Sequence, residues 1–202
     1  AIEAATDQAG VDAKAAEGTK AVEAVNPVGK EKAKAAVDAA LAEKEKAIEA
    51  NDKLSDAEKA AAKAEAKKAA VAAVNAINEA KDQEGVDGAQ TTGVKAIEAV
   101  TPVGKEKALE AIQTASEAKI ASIDKNAKLS DDEKAAAKAE VAKAAIAAVN
   151  AINEAKDQDG VDAAQTTGVK AIEAVNPVGT TSTAGEGNLI TPPTVEVPAY
   201  TD

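Results

Sequence analysis

The stretch Asn26-Pro27-Val28-Gly29-Lys30-Glu31-Lys32-Ala33 decides the fold, because the chain contains it again at 101–108 with threonine in place of the asparagine. Asn176-Pro177-Val178-Gly179 repeats its beginning once more, at the same spacing. Segments of identical spacing and near-identical sequence are typical of tandem repeat proteins. The predicted divisions are the trailing part of a preceding repeat at 1–25, complete repeats at 26–100 and 101–175, and a tail at 176–202.

The two complete repeats have 54 of 75 positions in common, and 14 of the 21 differences lie between positions 34 and 52 of the first copy. The chain begins at Ala1 without an initiator methionine or a secretion signal, and its segment 1–25 matches the end of a repeat. We therefore expect it to be a piece of a longer array.

Alanine dominates the apolar residues. Hydrophobic residues make up 45% of the chain, and more than half of them are alanine, so we expect a thin core. Cysteine, histidine, methionine, phenylalanine, tryptophan and arginine are all missing. Disulfides, thiolate or imidazole metal sites and histidine acid/base catalysis are thereby excluded.

The net charge of −11 argues against a nucleic-acid partner, since phosphates would be repelled. Base-stacking aromatic residues are also missing, apart from Tyr200 in the tail. No apolar stretch reaches the roughly 18 residues that a membrane span needs, so no membrane insertion is expected.

The first helix of each repeat is predicted to begin at Asn26-Pro27 or Thr101-Pro102, with an N-cap residue followed by proline in the first helical position. It should run to about Asn51 or Asn126. Its apolar face keeps helical spacing: Val37, Leu41 and Ile48 in one copy, and Leu109, Ile112, Ile120 and Ile123 in the other.

The second helix is predicted to open with a capping box, Ser55-Asp56-Ala57-Glu58 or Ser130-Asp131-Asp132-Glu133. It should end near Asp82 or Asp157, where Gly85 and Gly160 interrupt the pattern. The residues predicted to line its buried side are Ala60, Ala64, Val71, Val74 and Ile77, and then Val141, Ile146, Val149 and Ile152.

The third helix is predicted to begin at Asp87 or Asp162, each followed three residues later by glutamine. Val94, Ile97 and Val100 should form its buried face. Glycine recurs inside this helix at Gly18, Gly93 and Gly168, although glycine disfavours helix. We interpret these glycines as sites of close helix crossing rather than as a notch for a ligand.

These elements predict an all-α fold of tandem three-helix bundles arranged as an elongated rod, because two residues, Thr101 and Pro102, separate one predicted bundle from the next. From Thr180 onward, Pro/Thr-rich composition predicts an extended C-terminal tail. A short strand through Val195 and Val197 would need a partner that the sequence does not reveal.

No catalytic, cofactor-binding or metal-binding residue is predicted, and the protein is expected not to be an enzyme. The acids in 156–162 have the wrong spacing for an EF-hand, which needs glycine at its sixth position and glutamate at its twelfth. A helix stop followed by an aspartate cap explains them better. The many Lys/Glu pairs are interpreted as a solvated face.

Three motifs carry a family resemblance: the helix start at 102–108, Lys-Leu-Ser-Asp-Asp-Glu-Lys-Ala-Ala-Ala-Lys at 128–138, and Gly-Val-Asp-Ala-Ala-Gln-Thr-Thr-Gly-Val-Lys-Ala-Ile-Glu-Ala-Val at 160–175. They resemble the alanine-rich tandem helical repeats of Gram-positive surface proteins, which include giant staphylococcal matrix-binding proteins and streptococcal wall-anchored adhesins. That repeat is a domain of unknown function and is similar to the FIVAR and albumin-binding modules.

The resemblance covers 1–179 and implies an extracellular stalk on the cell wall of a Gram-positive bacterium, anchored through a motif outside these residues. The chain itself is expected to be a monomer. Such a virulence-associated adhesin would use the repeats to project a distal binding domain, with neighbouring repeats as their partners. The alternative is a module that binds a host serum or matrix protein such as albumin, immunoglobulin or fibronectin. Binding hot spots favour Trp, Tyr and Arg, which the helices lack.

Overall fold

The computed structural model describes residues 7–23 and 27–179, which form seven α-helices without any strand in these two ranges. The all-α class is confirmed. The predicted tail from Thr180, with its possible strand, lies outside the described residues. The helices are α1 Gln8–Glu23, α2 Glu31–Ala50, α3 Asp56–Glu79, α4 Gln83–Glu98, α5 Glu106–Asp124, α6 Asp131–Glu154 and α7 Gln158–Glu173.

The helices belong to two compact units. The first comprises the described residues up to Ala108 together with Ala155–Val161. The second comprises Leu109–Glu154 and the described residues from Asp162 to Gly179. The first unit therefore contains one whole repeat together with the residues that open the second repeat.

In the first unit, α2, α3 and α4 pack against one another around a core of seven residues, of which three are alanine. A second, smaller cluster lies at the α2–α3 turn and contains Ile48, Leu54 and Ala62. The main core consists of Ala33, Val37, Ala70, Ala73, Ile77, Val86 and Ile97.

The predicted start of the first helix is wrong in both repeats. Residues 27–30 and 101–105 are not helical, and the helices begin four residues after the prolines, at Glu31 and Glu106. The Gly29 N–H donates to Gln83 Oε1 at 2.8 Å, and the Gly104 N–H donates to the corresponding glutamine at 2.7 Å. These tertiary bonds hold the Pro-Val-Gly segments outside the helix; the predicted cap Asn26 lies outside the described residues.

The predicted start of the third helix is also wrong, since the observed cap precedes the predicted one. Asp82 is the N-cap of α4, and its side chain accepts the Gly85 N–H at 2.7 Å; Asp157 does the same for α7. Gly85 therefore lies in the first turn of α4 and does not interrupt a helix. Asp87, the predicted cap, instead accepts from Gln83 Nε2 at 2.9 Å.

The capping boxes of the second helix are confirmed, but much of its predicted buried face is wrong. Val71 is 59% exposed, and its counterpart Ile146 is 62% exposed. Ala60 and Ala64 are exposed as well, Val74 and Val149 are half-buried, and only Ile77, Val141 and Ile152 are buried as predicted. The side of α3 that is buried consists of Ala62, Ala66, Ala70, Ala73 and Ile77. Small side chains occupy most of these positions because they let the neighbouring helices approach closely.

The glycine inside the third helix marks such an approach, as predicted, in both complete repeats. A Cβ on Gly93 would overlap the Ala73 methyl group, and a Cβ on Gly168 would overlap the Ala148 methyl group and lie 2.8 Å from Ile112 Cδ1. Around Gly18 nothing lies within 4 Å among the described residues. The glycine is therefore required where all three helices of a repeat are present.

We expect Gly93→Ala to lower the free energy of unfolding by about 1–3 kcal/mol, because overpacking forces the α3 and α4 backbones apart. The matched control is Gly88→Ala on the same helix, where nothing lies within 4 Å and the second repeat already has Ala163. The control should leave stability unchanged or raise it by up to about 1 kcal/mol through helix propensity. Urea unfolding followed by circular dichroism measures both, and equal effects would contradict the close crossing.

Candidate functional site: the joint between repeats

The backbone of Gly104, which opens the second repeat, lies directly against the α2–α3 turn of the first repeat. Gly104 is buried, and a Cβ there would overlap the carbonyl oxygen of Lys53. Gly179 has the same relation to the carbonyl of Lys128, the corresponding residue of the second repeat. A Cβ on Gly29, by contrast, would have Gln83 Oε1 at 3.5 Å as its nearest contact among the described residues. The glycine of the Pro-Val-Gly segment therefore serves contact with the preceding repeat.

A glutamine from the third helix forms hydrogen bonds with the backbone of the same glycine. Gln158 Oε1 accepts the Gly104 N–H at 2.7 Å, and its Nε2 donates to the Gly104 carbonyl at 3.1 Å. Gln83 makes the corresponding pair of bonds with Gly29 at 2.8 and 3.4 Å. The side-chain amide thus replaces the strand or helix partner that this non-helical peptide lacks.

The carboxylate of Glu58 joins the two helix starts that meet here. Its Oε1 accepts the Ser55 N–H at 2.9 Å, which completes the capping box of α3. Its Oε2 accepts the Lys105 N–H at 2.9 Å and, more weakly, the Glu106 N–H at 3.5 Å. One side chain therefore caps both α3 and the beginning of α5.

Two further contacts connect the α2–α3 turn to the start of α5. The Ser55 hydroxyl donates to the Glu106 carboxylate, and Lys107 Nζ donates to the Asp52 carbonyl at 2.7 Å. The turn itself is shaped by Asn51, whose side chain accepts the N–H of residue 53 at 3.0 Å. We call the set formed by 52–58 and 104–107, with Gln158, the joint.

The environment of Glu58 changes its acidity. Partial burial raises the pKa of the carboxyl group, but the hydrogen bonds donated by the backbone N–H groups of Ser55, Lys105 and Glu106 outweigh this effect. The net pKa is lowered from the ordinary 4.5. The ionised form is thus the one that the joint stabilises.

A lysine in the first helix of each repeat also holds the end of the third helix, and sequence reasoning missed it. Lys44 Nζ donates to the backbone carbonyls of Glu98 and Val100 at 2.8 and 2.9 Å, and Lys119 Nζ donates to the backbone carbonyl of Glu173 at 2.8 Å. A cation at the carbonyl end of a helix is favourable. The available signal was that this lysine stays the same within the most divergent segment of the repeat.

No catalytic or metal-binding residue was predicted, and the acids at 156–162 have a structural role at Asp157, which caps α7. In the ranges 7–23 and 27–179, no three histidine, cysteine or acidic side chains form a group that could hold a metal ion. None of the helices described is long and apolar enough to cross a bilayer.

We expect Gly104→Ala to destabilise the chain by about 1–3 kcal/mol or more, because the new methyl group would overlap backbone that cannot move aside as a side chain can. Gly29→Ala is the matched control, with the same change in the same Pro-Val-Gly sequence but only ordinary van der Waals contact with the residues that the structure describes. Urea denaturation of both variants measures the difference. Equal losses would show that the glycine is needed for its own backbone and not for the joint.

The lowered pKa of Glu58 predicts a dependence of stability on pH. A group whose pKa is lower in the folded state stabilises that state above the unfolded value, and this contribution is lost as pH falls through the folded value. The stability advantage of the wild type over Glu58→Gln should therefore be constant between pH 7 and about 5. It should shrink below pH 4.5. Urea midpoints at half-unit pH steps test this, and an advantage that persists undiminished to pH 3 would contradict it.

Comparison with known protein families gives one match. The family described as Domain of Unknown Function (DUF1542) matches the chain twice, over 29–105 and 104–180. No curated protein and no solved structure matches the chain. The two matches meet at Gly104 and Lys105 of the joint, and together they cover more than half of the sequence. The chain therefore belongs to the DUF1542 family, as two consecutive copies of its domain.

Proposed function

We propose that these repeats are the stalk of a bacterial surface adhesin, a spacer that projects a distal binding domain from the cell wall. The observation that carries the proposal is the joint. Gly104 and Glu58 attach the start of the second repeat directly to the first, where a flexible linker would otherwise stand. A spacer needs such direct attachment, because flexible linkers gain length only as the square root of residue number.

Family membership supports the location, since this domain is known from Gram-positive surface proteins. The described helices contain no aromatic residue, and their branched apolar side chains are mostly engaged in the cores. Repetition of near-identical units adds length without adding a new recognition surface. Export, attachment through a motif outside 1–202 and likeness to FIVAR or albumin-binding modules belong to the same proposal.

A second candidate function, binding of a host serum or matrix protein, is favoured by one observation. Val71 and Ile146 occupy corresponding positions and are both largely exposed, at 59% and 62%. An exposed apolar side chain at the same position of each repeat could contact a partner that binds each repeat separately. Single exposed apolar residues are common on protein surfaces, so this observation carries less weight than the joint.

Small-angle scattering of chains with two, three and four repeats tests the spacer. If the repeats act as a spacer, the maximum dimension of the chain should grow in equal steps with each repeat added. Growth that slows with repeat number, as for units folding back on one another, would contradict the proposal. The same chains serve in binding assays against albumin, immunoglobulin and fibronectin. Saturable binding at micromolar concentration or tighter, abolished by Val71→Ser with Ile146→Ser, would favour the second candidate.

A further inference from the structure

Two stretches of identical sequence allow a comparison within the chain. Pro-Val-Gly-Lys-Glu-Lys-Ala precedes and opens α2 at 27–33 and α5 at 102–108. In the part of the chain that the structure describes, α2 has Lys30 at its N-cap and no side-chain hydrogen bond there. The start of α5 has the Glu58 carboxylate. Since the local residues are the same, the cap of α5 is supplied by the preceding repeat.

We propose that Glu58 couples the folding of the two repeats by capping α3 and α5 with one carboxylate. A helix start leaves N–H groups without intrahelical partners, and a lysine at the N-cap cannot accept from them. Fraying of α3 moves Glu58 away from α5, and fraying of α5 removes bonds that hold the Glu58 side chain in place. Each helix therefore stabilises the other, whatever the repeats are used for.

The groups around Glu58 fit this role. At the start of α3, the Glu58 carboxylate accepts a hydrogen bond from the Ser55 N–H. At the start of α5, the same carboxylate accepts hydrogen bonds from the Lys105 and Glu106 N–H groups. Glu106, another acid of the joint, has its own donor in the Ser55 hydroxyl. Both oxygens of Glu58 are thus needed as acceptors, one for each helix.

Glutamine at position 58 separates the two tasks, because its side chain has only one acceptor oxygen. Glutamine can still complete a Ser-x-x-Gln capping box, so α3 should form in Glu58→Gln while the bond to α5 is lost. In the full chain, amide hydrogen exchange at Lys105 should become about tenfold faster, the size expected for loss of one hydrogen bond to a charged group. A change below about twofold would overturn the proposal.

Coupling itself is measured by destabilising the second repeat with Gly168→Ala and following amide exchange in α3. With Glu58 present, Gly168→Ala should speed exchange in α3; with Glu58→Gln, the transmitted effect should fall at least about threefold, in line with loss of one charged hydrogen bond. Glu65→Gln, which removes an exposed charge from the same helix, should leave transmission unchanged. Equal transmission with Glu58 and with glutamine, or no transmission with either, would overturn the proposal.

Discussion

Helices made largely of alanine can bury surface only by coming close together, and the rest of this structure depends on that constraint. Each methyl group contributes little burial, so favourable dispersion requires many short contacts between backbones. The helices come so close at the Gly93–Ala73 crossing, and at its counterpart at Gly168, that one more methyl group would not fit. The few large side chains, such as Ile77 and Ile97, are fully buried between these contacts.

Close packing without large side chains also occurs at the joint, where backbone contacts backbone. Gly104 lies on the Lys53 carbonyl, and the hydrogen bonds of Gln158 and Glu58 satisfy the peptide groups that the non-helical segment leaves open. Few apolar side chains are available to hold repeats together by area alone. Directional polar contacts take over this task, and they fix the register of one segment on the other more tightly than a smooth apolar surface would.

Sequence reasoning identified the elements that depend on local chemistry. The Ser55 capping box is contained within four residues, and the Val37 and Ile48 spacing marks a buried face that the structure confirms. Sequence reasoning failed where a helix start depends on a hydrogen-bond partner that is distant along the chain. Pro27 and Pro102 suggested helix starts, but the starts are set by partners that lie far away along the chain, namely Gln83, Gln158 and Glu58.

The buried face of α3 was mispredicted for a related reason. Helical periodicity gives most weight to the largest apolar side chains, and so it pointed to Val71. Most buried positions of α3 accept only alanine, because the neighbouring helix comes so close, and Val71 therefore lies outside although Ile77 is buried. The joint could not be predicted at all from one repeat: its glycine looks like a turn residue, and the second bond of Glu58 has no counterpart in the capping-box pattern.

The joint divides its parts between two copies, and this limits how such a chain can change in length. The carbonyl and the carboxylate come from one copy, while the glycine, the helix start and the glutamine come from the next. A deletion or duplication that ends between these two sets of residues would leave one half of these contacts without its partner. A change of length that keeps every joint complete is therefore one of whole periods, and the two copies differ in sequence but not in length.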